Sequence, residues 1–356
     1  MRLVIALMLS VGLLFNCIPV ATFETDQFNL SPMPLADVGE EVTEYVISQL
    51  QEAVHDVNSR IAETEACLAA PRKRGCDLLD DERKRLRYLR SNDAVAKAVY
   101  DLVSGSNLLT TKFGNWMRAH KFRGQPSSYK APFADTIYRL RPSDYLTLSP
   151  TVRLYGHEFG IDKLEHLFQQ GHQYYTRQRE AVDSGKSLSE GSTKAIEWGK
   201  LTERTYYGLL TSGVYSNADL TANYVGLKFY QGLSNPVPIG GSRPAMLRLV
   251  DGKWAVANRA TLHQYLLKPF ISDHLNEAFN PSSYAIYLYP SVRRIVRDKA
   301  CAQWRRVLPE LDMQALVSTA KALELWHGED YGHTARARTL RFSEVCYAPG
   351  TLRGRS

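Results

Sequence analysis

The stretch GIDKLEHLFQQGHQYY, residues 160 to 175, places Asp162, Lys163 and His166 within one turn of a segment with helical, amphipathic periodicity. Ionisable side chains on a packed helix need charged or hydrogen-bonding partners, because an unpaired buried charge is very costly. The fold must therefore bring other polar groups to this turn. We expect the turn to be the centre of any functional site.

Two later segments can supply those groups. We predict helices over 161–183, 190–212 and 217–232, separated by the turns DSGKS and SGVYS. Ser216 can cap the third helix, and Asp219 in its first turn suits the positive end of the helix dipole. Three helices with short connections can bring their polar faces together.

The polar residues of these helices suggest acid–base or metal chemistry. Asp162 and His166 lie one turn apart on one helix face, so the carboxylate can orient or charge the imidazole. The second helix carries Glu203, and the third carries Asp219 and Asn223 four residues apart. Such a cluster can pair an acid with a base or hold a divalent metal, although no motif requires a cofactor.

The same residues also have a structural interpretation. Asp162, Lys163, His166 and Glu203 can form a buried hydrogen-bonded network that fixes the packing of three helices. Gly226 would then permit close contact between helices. A catalytic site should be open to solvent with His166 at its floor, whereas a structural network should be closed.

The order D-K-x-x-H, then a Glu, then S-x-x-D-L-x-A-N-x-x-G resembles the pattern shared by VanZ-like proteins and a related family of predicted periplasmic lipoproteins of unknown function. It covers about 65 of the 356 residues. The matching positions are Asp162, Lys163, His166, Glu203, Ser216, Asp219, Leu220, Ala222, Asn223 and Gly226. VanZ-like proteins are otherwise multi-span membrane proteins, so the lipoprotein branch is the closer match. The resemblance implies an envelope setting and no settled reaction.

The chain opens with MRLVIALMLSVGLLFNCIPVATFETDQ, in which Arg2 precedes a long apolar run and Glu24 is the first acid. This order is that of a secretory signal peptide, which we place at residues 1–22. We expect a periplasmic or secreted protein. An uncleaved anchor is a weaker alternative, and so is lipidation at Cys17, because Asn16 stands where a lipobox has a small residue.

Charge and hydropathy narrow the list of partners. No later apolar run reaches the roughly 18 residues that a membrane span requires. The formal charge is +7, but the basic clusters alternate with apolar and acidic residues at helical spacing, which is typical of solvated helix faces. We expect a cell-envelope component or a small ligand as partner, and no nucleic acid. The sequence does not indicate an oligomeric state.

Four cysteines follow the predicted signal: Cys67, Cys76, Cys301 and Cys346. Export permits disulfides, and an even number favours them. Cys67 and Cys76 flank a short loop between two predicted helices, so we prefer the pairs 67 with 76 and 301 with 346, although three pairings are possible. Zinc is less favoured, because there is no Cys-x-x-Cys pair.

The fold class is predicted to be mostly α, a multi-helix bundle with one small β-hairpin around Asp251-Gly252 in MLRLVDGKWAVA. We expect an N-terminal helical hairpin with long loops over 30–150, the central three-helix unit over 151–235, and the C-terminal hairpin and helices over 236–356. The absence of a flexible linker in the sequence favours one compact body.

Two further stretches are weaker candidates. SDHLNEAFNPSSY offers His274, Glu277, Asn280 and Tyr284 as a polar helix stripe that either faces solvent or forms a wall of the site. WHGEDYGH places His327, Glu329, Asp330 and His333 in a glycine-containing loop that can hold a metal but is more often structural. The signatures G-x-S-x-G, H-E-x-x-H, the P-loop and the dinucleotide fingerprint are not found in the sequence.

Two functional hypotheses follow. The first is a non-enzymatic envelope protein whose polar constellation organises the core or binds an envelope ligand. The alternative is a hydrolase, in which His166 is the acid or base, Asp162 orients it, and Glu203 with Asp219 positions a substrate or a cation.

Overall fold

The computed structural model describes residues 24–70, 75–76, 78–105, 111–140, 142–239, 241–307 and 313–347. The predicted signal peptide, with Cys17 and its lipidation alternative, lies outside the described residues. None of the helices in the described ranges is both long enough and apolar enough to cross a bilayer.

The N-terminal part of the described chain contains three consecutive helices that pack on one another. Helix α1 (Gly39–Ala69) buries a stripe of residues at helical spacing, Val46, Leu50, Val54, Val57 and Ile61. Helices α2 (Leu79–Leu89) and α3 (Asn92–Val103) return along it. Short helices α4 (Lys112–Ala119) and α5 (Pro142–Thr147) interrupt the loops that follow.

Both preferred disulfides are confirmed. Cys67 is bonded to Cys76 beside the turn between α1 and α2, and Cys301 is bonded to Cys346 across a sequence separation of 45 residues. The first links the two arms of the N-terminal hairpin. The second joins the start of the helix Cys301–Val307 to the end of the helix Phe342–Cys346.

The three central helices are α6 (Ile161–Asp183), α7 (Leu188–Arg204) and α8 (Asn217–Ser234). The Ser216 hydroxyl caps α8 by accepting from the amide of Asp219, as predicted. The predicted end of the second helix at residue 212 is wrong. The chain leaves the helix after Arg204 and turns through Gly208, where a Cβ would lie 2.2 Å from the carbonyl oxygen of Glu203.

Helices α6 and α8 cross at two glycines. A Cβ added to Gly171 would lie 2.4 Å from the Cα of Gly226, and a Cβ added to Gly226 would lie 2.1 Å from the carbonyl oxygen of Leu167. Both contacts are with backbone, which cannot rotate away. The missing side chains let the helix axes approach closely enough for their polar residues to meet.

The prediction of a single β-hairpin is wrong, although the predicted hairpin is present. Strands β7 (Leu247–Val250) and β8 (Lys253–Val256) pair across Asp251 and Gly252, both with positive φ, 48° and 77°. The remaining strands are β1 (Ser128–Tyr129), β2 (Thr151–Leu154), β3 (His157–Gly160), β4 (Val214–Tyr215), β5 (Val237–Pro238), β6 (Ser242–Arg243) and β9 (Ser283–Tyr284).

All the pairings in these small sheets are antiparallel: β1 with β2, β2 with β3, β4 with β9, and β5 with β6. Five of these strands have only two residues, too few for an alternating pattern to be visible in the sequence. The β2–β3 hairpin turns at Tyr155 and Gly156, which is not the Asn-Gly or Asp-Gly signature.

Short helices complete the C-terminal third: α9 (Arg259–Tyr265), α10 (Tyr289–Ile295), α11 (Cys301–Val307), α12 (Met313–Ala322) and α13 (Phe342–Cys346). An apolar cluster in this region includes Phe28 and Tyr138 beside Val292 and Trp304. The predicted N-terminal and C-terminal segments therefore share a core. A larger cluster joins α1 and α3 to α6 and α8.

The interface of α6 and α8 generates a first prediction. Gly226→Ala should lower the free energy of unfolding by about 1–3 kcal/mol, because the added methyl group meets rigid backbone. Chemical denaturation measures this. Gln51→Ala, at an exposed position of α1, is the control and should leave stability almost unchanged. Equal stability of the two variants would show that the helices do not cross as described.

A second prediction concerns His172, which is buried on α6 and stacked on Tyr100 with ring centroids 4.3 Å apart. Burial, followed by the charge of Lys97, lowers the pKa of His172 to about 4. Between pH 6.5 and pH 4 the unfolded chain therefore binds a proton at His172 that the folded protein does not bind. The free energy of unfolding falls as the pH falls through this window.

His172→Gln should lose this component, which is worth about 3 kcal/mol at most. The measurement is the unfolding free energy of variant and wild type at several pH values from 7.5 to 4. His55→Gln, at an exposed position of α1, should keep the wild-type pH slope. An unaltered slope in His172→Gln would contradict a neutral, buried imidazole.

Candidate functional site

The predicted turn of α6 is the centre of a buried ionic cluster. The ammonium nitrogen of Lys163 lies 2.7 Å from Asp162 Oδ2, 2.6 Å from Asp219 Oδ1 and 2.6 Å from Glu277 Oε1. The Lys163 side chain is 0% exposed. Three carboxylates around one ammonium group give the pairing that such deep burial of a charge requires.

Distant parts of the chain complete this cluster. The hydroxyl of Thr25 donates to Asp162 Oδ1, and the hydroxyl of Ser216 donates to Glu277 Oε1 at 3.0 Å. The backbone amide of Glu277 donates to the side-chain oxygen of Gln27. The segment that begins at Glu24 is therefore part of the site, together with the loop around Glu277.

His166 is held by residues of α8. Its Nδ1 lies 2.9 Å from Asn223 Oδ1, and its Nε2 lies 3.6 Å from Asp219 Oδ2. Asp162, which the sequence suggested as the orienting carboxylate, bonds instead to Thr25 and Lys163. Asp162 and His166, which the sequence predicted to interact with each other on α6, thus bond to different residues.

Two further acids lie close to this group. Glu203, at the end of α7, accepts from the amide of Ser216 at 3.3 Å. Burial, followed by the charges of Asp219 and Glu24, raises the pKa of Glu203 well above its usual value. Glu24 as a residue is only partly exposed, and its carboxylate lies in the interior. Burial and then the charge of Glu277 raise the pKa of Glu24 in the same way.

The pKa values of the ionisable groups in the cluster shift in different directions. Burial alone would lower the pKa of Lys163 and raise that of Asp219. The surrounding carboxylates outweigh burial at Lys163 and raise its pKa, while His166 and Lys163 outweigh it at Asp219 and lower its pKa. Burial wins at Glu277 and raises its pKa to about 7. Lys163 and Asp219 are therefore a pair in which both charged forms are favoured despite burial.

The structure brings together all six residues that the sequence singled out: Asp162, Lys163, His166, Glu203, Asp219 and Asn223. Sequence reasoning missed Glu24 and Thr25, which follow the apolar N-terminal run and carry no motif. It placed Glu277 on a possible wall of the site but on a helix, which is wrong. The chain forms one 3-10 turn at Asp273–Leu275 and continues in further turns.

The cluster is closed to solvent. The side chains of Asp162, Lys163 and Glu277 are between 0% and 1% exposed, and those of His166 and Asp219 are 4% and 5% exposed. These exposed fractions do not fit a catalytic His166 at the floor of an open pocket. They match the expectation for a structural network.

An open cavity lies on another face of the same three helices. Its volume is about 740 Å³, within the range of small-molecule sites. Its polar lining comprises Asn92, Tyr175, Gln178, Arg179, Ser189, Ser192, Thr193, Glu197, Tyr224, Lys228, Gln231, Asn235, Glu329 and Asp330. Val237 and Pro238 add an apolar edge. We call this cavity the outer pocket.

Charged groups of the outer pocket are paired with one another or with near neighbours. Lys228 lies 2.8 Å from the carboxylate of Glu329, which also accepts from the hydroxyl of Tyr224 at 2.9 Å. Arg179 lies 3.2 Å from Asp93. The glycine-containing loop that the sequence offered as a metal candidate thus places Glu329 in an ion pair on this wall.

The neutral part of the wall is a line of amides and hydroxyls. The side-chain amide of Gln231 donates to that of Gln178 at 2.5 Å, and Gln178 donates to the hydroxyl of Ser192 at 2.6 Å. Among the bonds of the described residues, Gln231 uses one N–H, so its amide retains one N–H and its oxygen for further bonds. This wall is therefore suited to an uncharged ligand rich in hydrogen-bonding groups.

No protein-family model matches the chain, and no curated protein or solved structure is significantly similar to it. The resemblance to VanZ-like proteins and to the periplasmic lipoproteins therefore stays a prediction.

The cluster around Lys163 generates a third prediction. Lys163→Met should destabilise the protein by about 3–5 kcal/mol, because it leaves Asp162, Asp219 and Glu277 buried without their cation. Lys97→Met removes an exposed ion pair with Asp101 and should change stability by less than about 1 kcal/mol. Denaturant titration of both variants at pH 7.5 compares them, and equal effects would mean that Lys163 does not organise the core.

Proposed function

We propose that the protein is an exported cell-envelope protein that binds a small, uncharged polar ligand in the outer pocket. In this proposal the Lys163 cluster has a structural role and fixes the helices that carry the pocket wall. One observation carries it: the cluster is closed to solvent, whereas the 740 Å³ cavity beside it is open and lined by hydrogen-bonding groups.

The envelope setting is supported by three independent features. The N-terminal sequence has the order of a signal peptide, and the motif of the central helices resembles that of envelope proteins. The two disulfides, Cys67–Cys76 and Cys301–Cys346, are a third, because such bonds persist mainly in oxidising compartments. We place the protein in the periplasm or outside the cell.

The residues that line the outer pocket indicate the class of ligand. Lys228 and Arg179 already have carboxylate partners, so an anionic ligand would have to displace Glu329 or Asp93. The partly exposed Gln231 offers an amide donor and acceptor, and Ser192 and Thr193 offer hydroxyl groups. The two tyrosines of the lining add aromatic surface, which packs against apolar ring faces. Saccharides combine hydroxyl groups with such faces, and glycans are abundant in cell envelopes.

The hydrolase alternative is less favoured by the same geometry. His166 is 4% exposed and is held between Asn223 and Asp219. A substrate would reach it only if the elements packed around it moved apart. The outer pocket needs no such movement.

A binding experiment tests the proposal. Soluble oligomers of N-acetylglucosamine present both hydroxyl and acetamido groups, and we expect the purified wild-type protein to bind them in calorimetric titration. Thr193→Trp places an indole at an exposed position of the pocket lining and should weaken binding at least about tenfold, a loss of about 1.4 kcal/mol.

Lys194→Trp, at the next exposed position of α7 and outside the lining of the outer pocket, is the matched control and should bind like wild type. Thermal unfolding of both variants verifies that they are folded. Failure of the wild type to bind any of these oligomers would refute the saccharide assignment. Equal weakening by the two tryptophans would place the binding site elsewhere.

A further inference from the structure

We propose that Glu24, Asp219 and Glu277 hold a hard divalent cation beside Lys163. One carboxylate oxygen from each of the three residues can be chosen so that all lie within 4.8 Å of one another. This site is separate from the outer pocket and goes beyond the proposed ligand binding. It would make the core of the protein dependent on a metal.

The spacing of the oxygens suits such an ion. Oxygen ligands of Ca²⁺ lie at about 2.3–2.6 Å from the metal, so two ligands on opposite sides are about 5 Å apart. Oxygens that are all within 4.8 Å of each other can therefore share one ion with small side-chain adjustments. The three residues come from the N-terminal segment, from α8 and from the loop that follows Asp273–Leu275, so the ion would link three parts of the chain.

Glu277 supplies an independent indication. Its Oε1 is occupied by Lys163 and by the hydroxyl of Ser216. Its Oε2 is buried and has no hydrogen-bond partner among the described residues, although the side chain is 0% exposed. A buried carboxylate oxygen without a donor is strongly unfavourable. A cation next to Oε2 supplies the missing interaction.

The charge balance points the same way. Five carboxylates meet in this region: Glu24, Asp162, Glu203, Asp219 and Glu277. The positive charges among them are Lys163 and, when protonated, His166. An excess of negative charge in the protein interior must be neutralised by protons or by a bound cation. A divalent ion does so without leaving the carboxylates protonated at neutral pH.

The chemical type of the three donor groups indicates which metal ions the site would prefer. All three donors are carboxylates, and the described cysteines are bonded in disulfides. Carboxylate oxygens suit Ca²⁺, Mg²⁺ and Mn²⁺, whereas thiolates and imidazoles favour softer metals. Ca²⁺ tolerates irregular geometry better than Mg²⁺, so it is the first ion to test.

The test uses the purified wild-type protein with both disulfides formed. After dialysis against EDTA and then buffer at pH 7.5, its melting temperature is measured with and without 1 mM Ca²⁺, Mg²⁺ or Mn²⁺. We expect at least one of these ions to raise the melting temperature by about 3 °C or more, because an ion that binds only the folded state stabilises it. Mass spectrometry of protein purified without chelator should find about one equivalent of the ion per chain.

Glu277→Gln keeps the oxygen that accepts from Lys163 but removes the negative charge, and it should lose the shift caused by the ion. Glu165→Gln is the matched control: Glu165 is a buried carboxylate on α6 that accepts from Thr111, and this variant should keep the shift. Glu24→Gln provides a second test if Glu277→Gln fails to fold.

Absence of both bound metal and an ion-dependent shift in the wild type would overturn the proposal and leave protons as the neutralising charge. An ion-dependent shift that persists in both Glu277→Gln and Glu24→Gln would overturn it as well, because the ion would then bind elsewhere. Thr193→Trp should keep the shift, since the outer pocket is not involved. Saccharide binding and ion binding can therefore fail independently.

Discussion

The ammonium group of Lys163 in the protein interior imposes the strongest constraint on this structure. Removing such an ion from water costs several kcal/mol even after relaxation, so its partners must be close and complete. They come from its own helix, from α8 and from the loop around Glu277. Each of these elements has to occupy one position for the charges to meet. The cluster thereby constrains the relative positions of these three elements.

The glycine crossing makes that arrangement possible. Asp219 and Asn223 belong to α8, and they reach Lys163 and His166 because Gly171 and Gly226 leave no side chains between the two backbones. Close packing of helices usually serves apolar contact, and here it also sets hydrogen-bond distances between polar groups. On its other side, α8 presents Tyr224 and Lys228 to the outer pocket. One helix therefore couples the closed cluster to the open cavity.

Helical periodicity and capping predicted α1, α6 and α8, and with them the helix turns that carry the polar residues of the cluster. The even number and spacing of the cysteines predicted both disulfides, and Asp251-Gly252 predicted the β7–β8 hairpin. Local signals could not reveal Glu24 or Thr25, whose partners lie more than a hundred residues away, nor the turn at Gly208 that ends α7 early. Whether a polar helix turn is open or buried depends on what packs over it. The hydrophobic periodicity of one helix carries no information about which other segments pack over its polar turn.

The sequence distances within the cluster have a consequence for how the chain folds. Thr25 reaches Asp162 across 137 residues, and Gln27 reaches Glu277 across 250. Contacts of such long range carry a high entropy of loop closure, which slows folding. The closure of the Lys163 cluster to water therefore requires both the segment that contains Thr25 and Gln27 and the loop at Glu277. A chain that stops short of residue 277 lacks this closure, and its charged centre remains open to water.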